Sequence, residues 1–493
     1  MGTRFKIFLT GLVSVIFLLL ITYYAPSSKI TIKIENATPN LVKRIVRDTL
    51  FFIPDTKKKI VRLEKQNQDY QMVIRNISNN LSQQTINFAI NSNQNIELKR
   101  SLNILEEGLE LVTYELPIAN YLDNDKAVGY ISQNDKHLFI ISGTGNSFSI
   151  EKQHLENENL YLNVIQNNIN EIINDKLFYD TQKLLHPFSN VISVKDILIT
   201  SGNLLLSFTN EISPGCYNTS ILKSKLSTKD LNFNSFFIPS TCVAPSSLED
   251  AIMSGGRMEA YSENSILYTV GDYRQWPEAQ NLNSILGKIL KLNIENSDYE
   301  IFSLGHRNPQ GLMFDKETST IYSTEHGPIG GDEINVIKKG QNYGWPIASY
   351  GDMYTNMGYT EEEKVKAPMI KTHKEYSSHQ INGFEEPLYT ASRYRDDYKK
   401  LFNEGFNLHS GLSEIEKIPS GSAFRMLGDF VVTSMQQKKM YFFTLSSEKE
   451  KILNAQRINF PDRVRDIIYL EDKDVFALIL EENPSLGILR IIN

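Results

Sequence analysis

Gly305-His306-Arg307-Asn308-Pro309-Gln310-Gly311-Leu312 opens the most constrained stretch of the chain. A short strand at Thr320–Ser323 follows, then Glu325-His326-Gly327-Pro328, Gly330-Gly331-Asp332-Glu333-Ile334-Asn335 and Asn342-Tyr343-Gly344-Trp345-Pro346. Turn formers alternate with short apolar runs, which is the texture of a polar loop system on a β scaffold. Arg307 supplies a fixed fork of donors suited to a carboxylate, and Asn308 adds a donor and an acceptor beside it. Gly327-Pro328 suits a tight turn whose carbonyls can face a hard cation. Asp332, Glu333 and the Tyr343 carbonyl are oxygen donors of the kind calcium gathers. The same residues also suit plain hydrogen-bonded turns between sheets.

Outward from this stretch, short apolar runs bounded by Gly, Asn, Asp and Ser continue from about Lys126 to the end. They include His137–Ser142, Val191–Thr200, Leu204–Thr209, Ile266–Gly271, Gly428–Ser434, Met440–Leu445 and Val475–Leu480. Such spacing predicts an all-β fold, and about 370 residues exceed a single sandwich. A six-bladed propeller with four strands per blade, at roughly 40–60 residues each, accommodates them. The domain is expected over 121–493. The 41% hydrophobic and 22% charged fractions are those of a folded globular chain, which argues against disorder and against multiple membrane spans. A net charge of −7 with scattered cations does not favour a nucleic-acid partner.

Upstream the character differs. Arg4 and Lys6 precede an apolar run from Ile7 to Ala25, broken only by Thr10, Gly11, Ser14 and Thr22. About 19 residues at helical rise span roughly 28 Å, enough for one membrane crossing. The flanking cations would stay cytoplasmic, which places the rest of the chain outside. Tyr23-Tyr24-Ala25-Pro26 offers no small-residue cleavage site, so an uncleaved anchor over 1–26 is expected rather than a signal peptide. Residues 27–120 lack glycine until Gly108 and carry a helical apolar spacing at Leu41, Val42, Ile45, Val46 and Phe52. They read as a small α/β accessory or stalk region. Cys216 and Cys242 would close a loop of about 25 residues, a reasonable bridge in an oxidising compartment.

The run from Gly305 to Pro346 resembles the pyrroloquinoline-quinone (PQQ) dependent sugar dehydrogenases, which include soluble glucose, aldose sugar and sorbosone dehydrogenases. Gly255-Gly256-Arg257, Leu267–Asp272, Ala279–Leu282 and Gly287-Lys288-Ile289 resemble the same family in the same order. So do Glu386–Tyr389, Pro419-Ser420-Gly421 and Arg463-Val464-Arg465-Asp466, and the resemblance covers roughly 185–493. It implies a six-bladed propeller with PQQ on one face near the axis. It maps PQQ contacts onto Arg307, Asn308, Arg463 and Arg465, and a bridging calcium onto the carbonyls of Gly327 and Pro328. PQQ carries three carboxylates, so three convergent guanidinium groups make electrostatic sense. A second, structural calcium would use Glu333 and Tyr343. Calcium beside the quinone would act as a Lewis acid on the carbonyl that receives the hydride.

The pattern breaks at three places. The family's base histidine stands four residues before the arginine of G-G-R, and that position is Met253. The family's PQQ-contacting lysine aligns with Gln436, although Lys438 and Lys439 are near. The early glycine-rich segment is replaced by Asn190-Val191-Ile192-Ser193-Val194-Lys195-Asp196. His326, beside the calcium turn, is the first substitute base to consider, ahead of His306 and His379. The expected function is a PQQ- and calcium-dependent aldose or aldehyde dehydrogenase, membrane-anchored and facing the periplasm, that reduces an external electron acceptor. The alternatives are a catalytically inactive propeller that keeps cation or ligand binding, and a different activity rebuilt on the same face.

Overall fold

The computed structural model describes most of residues 80–493. Residues 1–79 and shorter stretches, among them 119–128, 174–193, 245–252, 352–377 and 392–409, lie outside the described part. The anchor expected over 1–26 therefore falls outside it. Among the described residues no helix is long and apolar enough to cross a membrane.

The strands of the described residues form six sheets, each a blade. The innermost strands are Gly129–Gln133, Val194–Thr200, Gly255–Ser262, Pro309–Asp315, Leu412–Lys417 and Val464–Leu470. Each packs against the next in this order, and the last packs against the first, so the six enclose one axis. Within a blade the strands run antiparallel from the inside outward. In blade 3, for example, Gly255–Ser262, Ser265–Val270, Lys288–Asn293 and Tyr299–Leu304 follow one another. Ser265–Val270 is buried at every residue, because neighbouring blades cover both of its faces. That double burial explains why second strands read as continuous apolar runs rather than as alternating ones. Six apolar clusters fill the spaces between successive blades; Leu267 and Ile289 meet Leu312 and Ile321 between blades 3 and 4.

Ring closure corrects the expected boundary at 121. Leu109–Glu115 pairs antiparallel with Ser485–Ile491, next to Val475–Leu480, so an early strand completes the last blade. Arg100–Ile104 adds outside it, and Ile96–Leu98 edges blade 1. Residues expected in the stalk are thus blade strands. Leu109, Leu111, Val112 and Tyr114 supply the apolar surface that seals blade 6. Cys216 and Cys242 are bonded, with Cα atoms 5.3 Å apart. The bridge lies beside the Tyr217–Val243 backbone pair in blade 2.

At the axis, Arg257 draws the blades together. Its Nη1 lies 3.0 Å from Asp466, 2.8 Å from Glu414 and 3.3 Å from Asp196. Its Nε donates to the Gln310 carbonyl at 2.7 Å, its Nη2 donates to the Arg465 carbonyl at 3.0 Å, and its guanidinium lies over the Tyr130 ring. The carboxylates reach onward to backbone N–H groups. Asp466 accepts from Ile131, Asp196 from Met258, and Glu414 from Leu312. Arg257 is 4% exposed, yet every blade touches it or its partners.

Removing this cation leaves three buried carboxylates without their counter-charge. Arg257→Met should destabilise the propeller by about 3–5 kcal/mol in denaturant unfolding, and Glu414→Gln in that background should recover part of the loss. Unchanged stability in the single variant would contradict the hub.

At the C-terminal ends of the inner strands the channel opens into a cavity of about 940 Å³ lined by Glu259, Glu414, Glu416 and Asp466. Burial, with repulsion from Glu414, pushes the Glu259 carboxyl up to about 8. Burial also pushes Glu414 up to about 7 against the pull of Arg257. Both values lie above the free-glutamate value of about 4.3, so the stability these groups contribute is complete below about pH 4. It is lost as pH rises through their folded values. The melting temperature should therefore fall between about pH 5 and pH 8, and less steeply in Glu259→Gln. Identical slopes would refute this.

Candidate functional site at one mouth of the channel

The residues singled out in sequence gather at the N-terminal ends of the inner strands. Arg307 and Asn308 directly precede Pro309, Arg463 precedes Val464, and Met253-Ser254 precede Gly255. Pairing registers shift at this end in five of the six inner strands, between Val194 and Asp196, Gly255 and Met258, Pro309 and Gly311, Leu412 and Ile415, and Val464 and Asp466. A bulge re-aims the extra residue, and here the extra residues include Lys195, Gln310 and Arg465. Gly256 has φ +110°, and a Cβ there would fall 2.6 Å from the Lys195 Cβ, so glycine is required for these two strands to approach.

Arg307 is buried, with its guanidinium over the Trp345 ring. Its Nη1 donates to the carbonyls of His326 and Gly327, each at 2.8 Å, and its backbone N–H donates to Glu325. Asn308 uses its side-chain oxygen to accept from Gly255 N–H at 3.1 Å and from Gln310 at 2.9 Å. Burial pushes the nearby Asp272 carboxyl up to about 6 against the pull of Arg307, while Trp345 Nε1 donates to it at 2.7 Å. Across the mouth, Arg463 donates to Glu481 at 2.7 Å, and Arg465 pairs with the same carboxylate. Burial favours a protonated Glu481, but Arg465 and then Arg463 outweigh it and hold the carboxyl below its usual range. Two guanidinium groups thus share one carboxylate, leaving a surplus positive charge. Gln436 reaches this pair, with its oxygen 3.5 Å from Arg463 Nη1. Lys438 is engaged elsewhere, 2.5 Å from Glu482.

The histidines separate by environment. His306 is fully buried; its ring nitrogens contact Ser303 at 2.8 Å and Glu325 at 3.1 Å, and its ring stacks on Tyr343. His379 is buried and stacked on Tyr350, and burial holds its pKa below the usual value. Both are built into the scaffold. His326 sits in the turn itself, half-buried beside Arg307.

The turn expected to face calcium is pinned by Asp332, which accepts from Gly327 N–H at 3.0 Å and from Gly411 N–H at 2.6 Å. The Gly327 carbonyl faces the Arg307 guanidinium, and Pro328 is buried next to it. Tyr343, whose carbonyl was the expected donor, has its ring held by its hydroxyl, which donates to the Val336 carbonyl and accepts from Lys338 N–H. Burial, with repulsion from Glu325, Glu386 and Asp332, pushes the Glu333 carboxyl far up. Among the described residues no group of three or more His, Cys, Asp or Glu is arranged to hold a metal ion.

Sequence reasoning missed Lys195, Glu481 and the three carboxylates around Arg257. A signal was present. Val194-Lys195-Asp196-Ile197 and Val464-Arg465-Asp466-Ile467 are one pattern written twice, and both aspartates reach Arg257.

The sequence pattern of the glucose/sorbosone dehydrogenase family matches residues 200–490. An aldose sugar dehydrogenase of Escherichia coli is 35% identical over 120 residues, 22% of this chain and 32% of that protein. Quinoprotein glucose dehydrogenase B of Acinetobacter calcoaceticus is 34% identical over 146 residues, 22% of this chain and 30% of its own. An uncharacterized Synechocystis protein is 36% identical over 262 residues, 47% of this chain and 54% of its own. The matched spans thus cover about half or less of these relatives. A glucose dehydrogenase crystal structure superposes with a TM-score of 0.55 at 20% identity, over 80% of this chain and 99% of that one. The soluble E. coli aldose sugar dehydrogenase in its apo form gives 0.53 at 17%, over 80% and 100%. With most of its length matched by the family pattern and the same six-bladed ring, this chain belongs to the glucose/sorbosone dehydrogenase family.

Proposed function

We propose that this chain is a sugar dehydrogenase-type oxidoreductase that binds PQQ at the N-terminal mouth of the channel. Its substrate would be an aldose or aldehyde, and an external acceptor would reoxidise the cofactor. The observation that carries the reading is the Arg463–Glu481–Arg465 group, a cationic pair with charge to spare, at the same end of the axis as Arg307 and Asn308. That donor set suits a small, planar, multiply charged anion. PQQ, when bound, supplies a two-electron acceptor. The chain's own work is to hold its carboxylates with Arg463 and Arg465 and to keep Arg307 fixed by the His326 and Gly327 carbonyls. A location outside the cytoplasm, held by the N-terminal segment, belongs to the same proposal, and the Cys216–Cys242 bond accords with it. Met253 favours one competing reading, a propeller that holds the cofactor without turnover.

Calcium enters the proposal at two places. An ion at the Gly327-Pro328 turn would have to share the Gly327 carbonyl with Arg307. An ion at Glu333 would offset the repulsion that Glu325, Glu386 and Asp332 exert on its carboxyl, with Glu333 as the one carboxylate bound directly.

Arg463→Ala should weaken PQQ binding by about 10–100-fold in an absorbance titration, the worth of a charged hydrogen bond. Unchanged affinity would remove Arg463 from the site. Chelation should lower the melting temperature of the wild type, at about 2–4 °C per kcal/mol of bound-ion stabilisation. Glu333→Ala should respond less. A melting curve indifferent to chelator would eliminate the structural ion.

A further inference from the structure

Oxidising a carbinol by hydride transfer requires a group that takes the hydroxyl proton. Few side chains at the channel mouth can do so near neutral pH. The guanidinium groups of Arg307, Arg463 and Arg465 offer only donors, and Asn308, Gln436 and Met253 have no basic atom to offer. Asp196, Glu414 and Asp466 are turned onto Arg257 and backbone N–H groups. Tyr130, under Arg257, is pushed up to about 12 by burial and stays a phenol.

Lys195 differs from all of these. It is the bulged residue of the blade 2 inner strand, in the place that Arg465 takes in blade 6. It packs against Gly256, three residues after Met253, and remains partly exposed while the aspartate after it is buried. We propose that Lys195 is the catalytic base of this chain, an inference that rests on the dehydrogenase reading above. Its Nζ takes the proton of the substrate hydroxyl while the carbinol C–H bond breaks. The electron pair of that bond leaves as hydride to the quinone, and the C–O bond becomes C=O. Proton, electron pair and product are thereby all placed.

The electrostatics agree. Burial lowers the Lys195 amine to about 7, and the positive charge of Arg465 opposes its protonation further. The charged group acting on it is Arg465 from blade 6, and its own neighbour Asp196 is occupied by Arg257. The second arginine of the mouth, Arg463, is held with Arg465 on Glu481. A primary amine poised near neutrality is suited to accept a proton at working pH.

Lys195→Arg keeps a cation that never deprotonates, and Lys195→Met removes both charge and basicity. In the full chain loaded with PQQ and calcium, both variants should lose about 10²–10⁴-fold in kcat. Lys195→Arg should keep its PQQ affinity in a binding titration. The wild-type rate should rise through about pH 7, and that limb should vanish in the arginine variant. Independently of turnover, NMR titration of reductively ¹³C-methylated protein, assigned with Lys195→Arg, should show Lys195 titrating well below the exposed lysines and below Lys288, which burial lowers to about 8. A Lys195 signal titrating with the ordinary lysines, or equal kcat in wild type and Lys195→Arg, overturns the assignment. Activity lost in His326→Gln but kept in Lys195→Arg also overturns it, by moving the base to the turn. A wild type that binds no PQQ contradicts instead the reading on which the inference rests.

Discussion

One guanidinium lies among three carboxylates at the axis of this propeller, and the arrangement of everything around it follows. Asp196, Glu414 and Asp466 come from blades 2, 5 and 6, while Arg257 belongs to blade 3 and also reaches carbonyls in blades 4 and 6. The apolar layers between blades supply most of the burial, but layers of Leu, Ile and Phe do not by themselves fix how one blade is rotated against the next. Directional bonds to a single buried cation do. Desolvating the four charged groups is costly, so their value lies in fixing a unique arrangement rather than in net stability. The bulges that let Asp196 and Asp466 turn inward are the same ones that present Lys195 and Arg465 at the mouth.

That construction also sorts charge along the channel. Lys195, Arg307, Arg463 and Arg465 stand at the N-terminal ends of the inner strands, while Glu259, Glu414 and Glu416 line the opposite opening. The cations at the first end make it the electropositive one. The carboxyls of the second end are raised because burial and mutual repulsion outweigh the pull of Lys316 and Arg257.

Local signals were readable in the sequence and remote ones were not. The place of Arg307 and Asn308 at the opening of an inner strand was legible because the turn that holds them is contiguous with that strand. The blades were legible because strands covered on both faces, such as Ser265–Val270, carry unbroken apolar runs. Leu109–Glu115 was misassigned because its partner, Ser485–Ile491, lies at the far end of the chain. The hub was invisible for the same reason: Arg257 is 61 residues from Asp196 and 209 from Asp466. His306 and His379 read as candidate bases until their stacked, enclosed environments were seen. Lys438 read as a cation for the site until its partner, Glu482, was known.

An anionic quinone is proposed to bind at the N-terminal mouth of the channel. A crystal structure of the protein soaked with PQQ tests it most directly. One molecule is expected on the axis, with carboxylates against Arg463 and Arg465 and Lys195 facing the open side of the ring system. A molecule bound at the opposite opening or between surface loops, or none at saturating concentration, would contradict it.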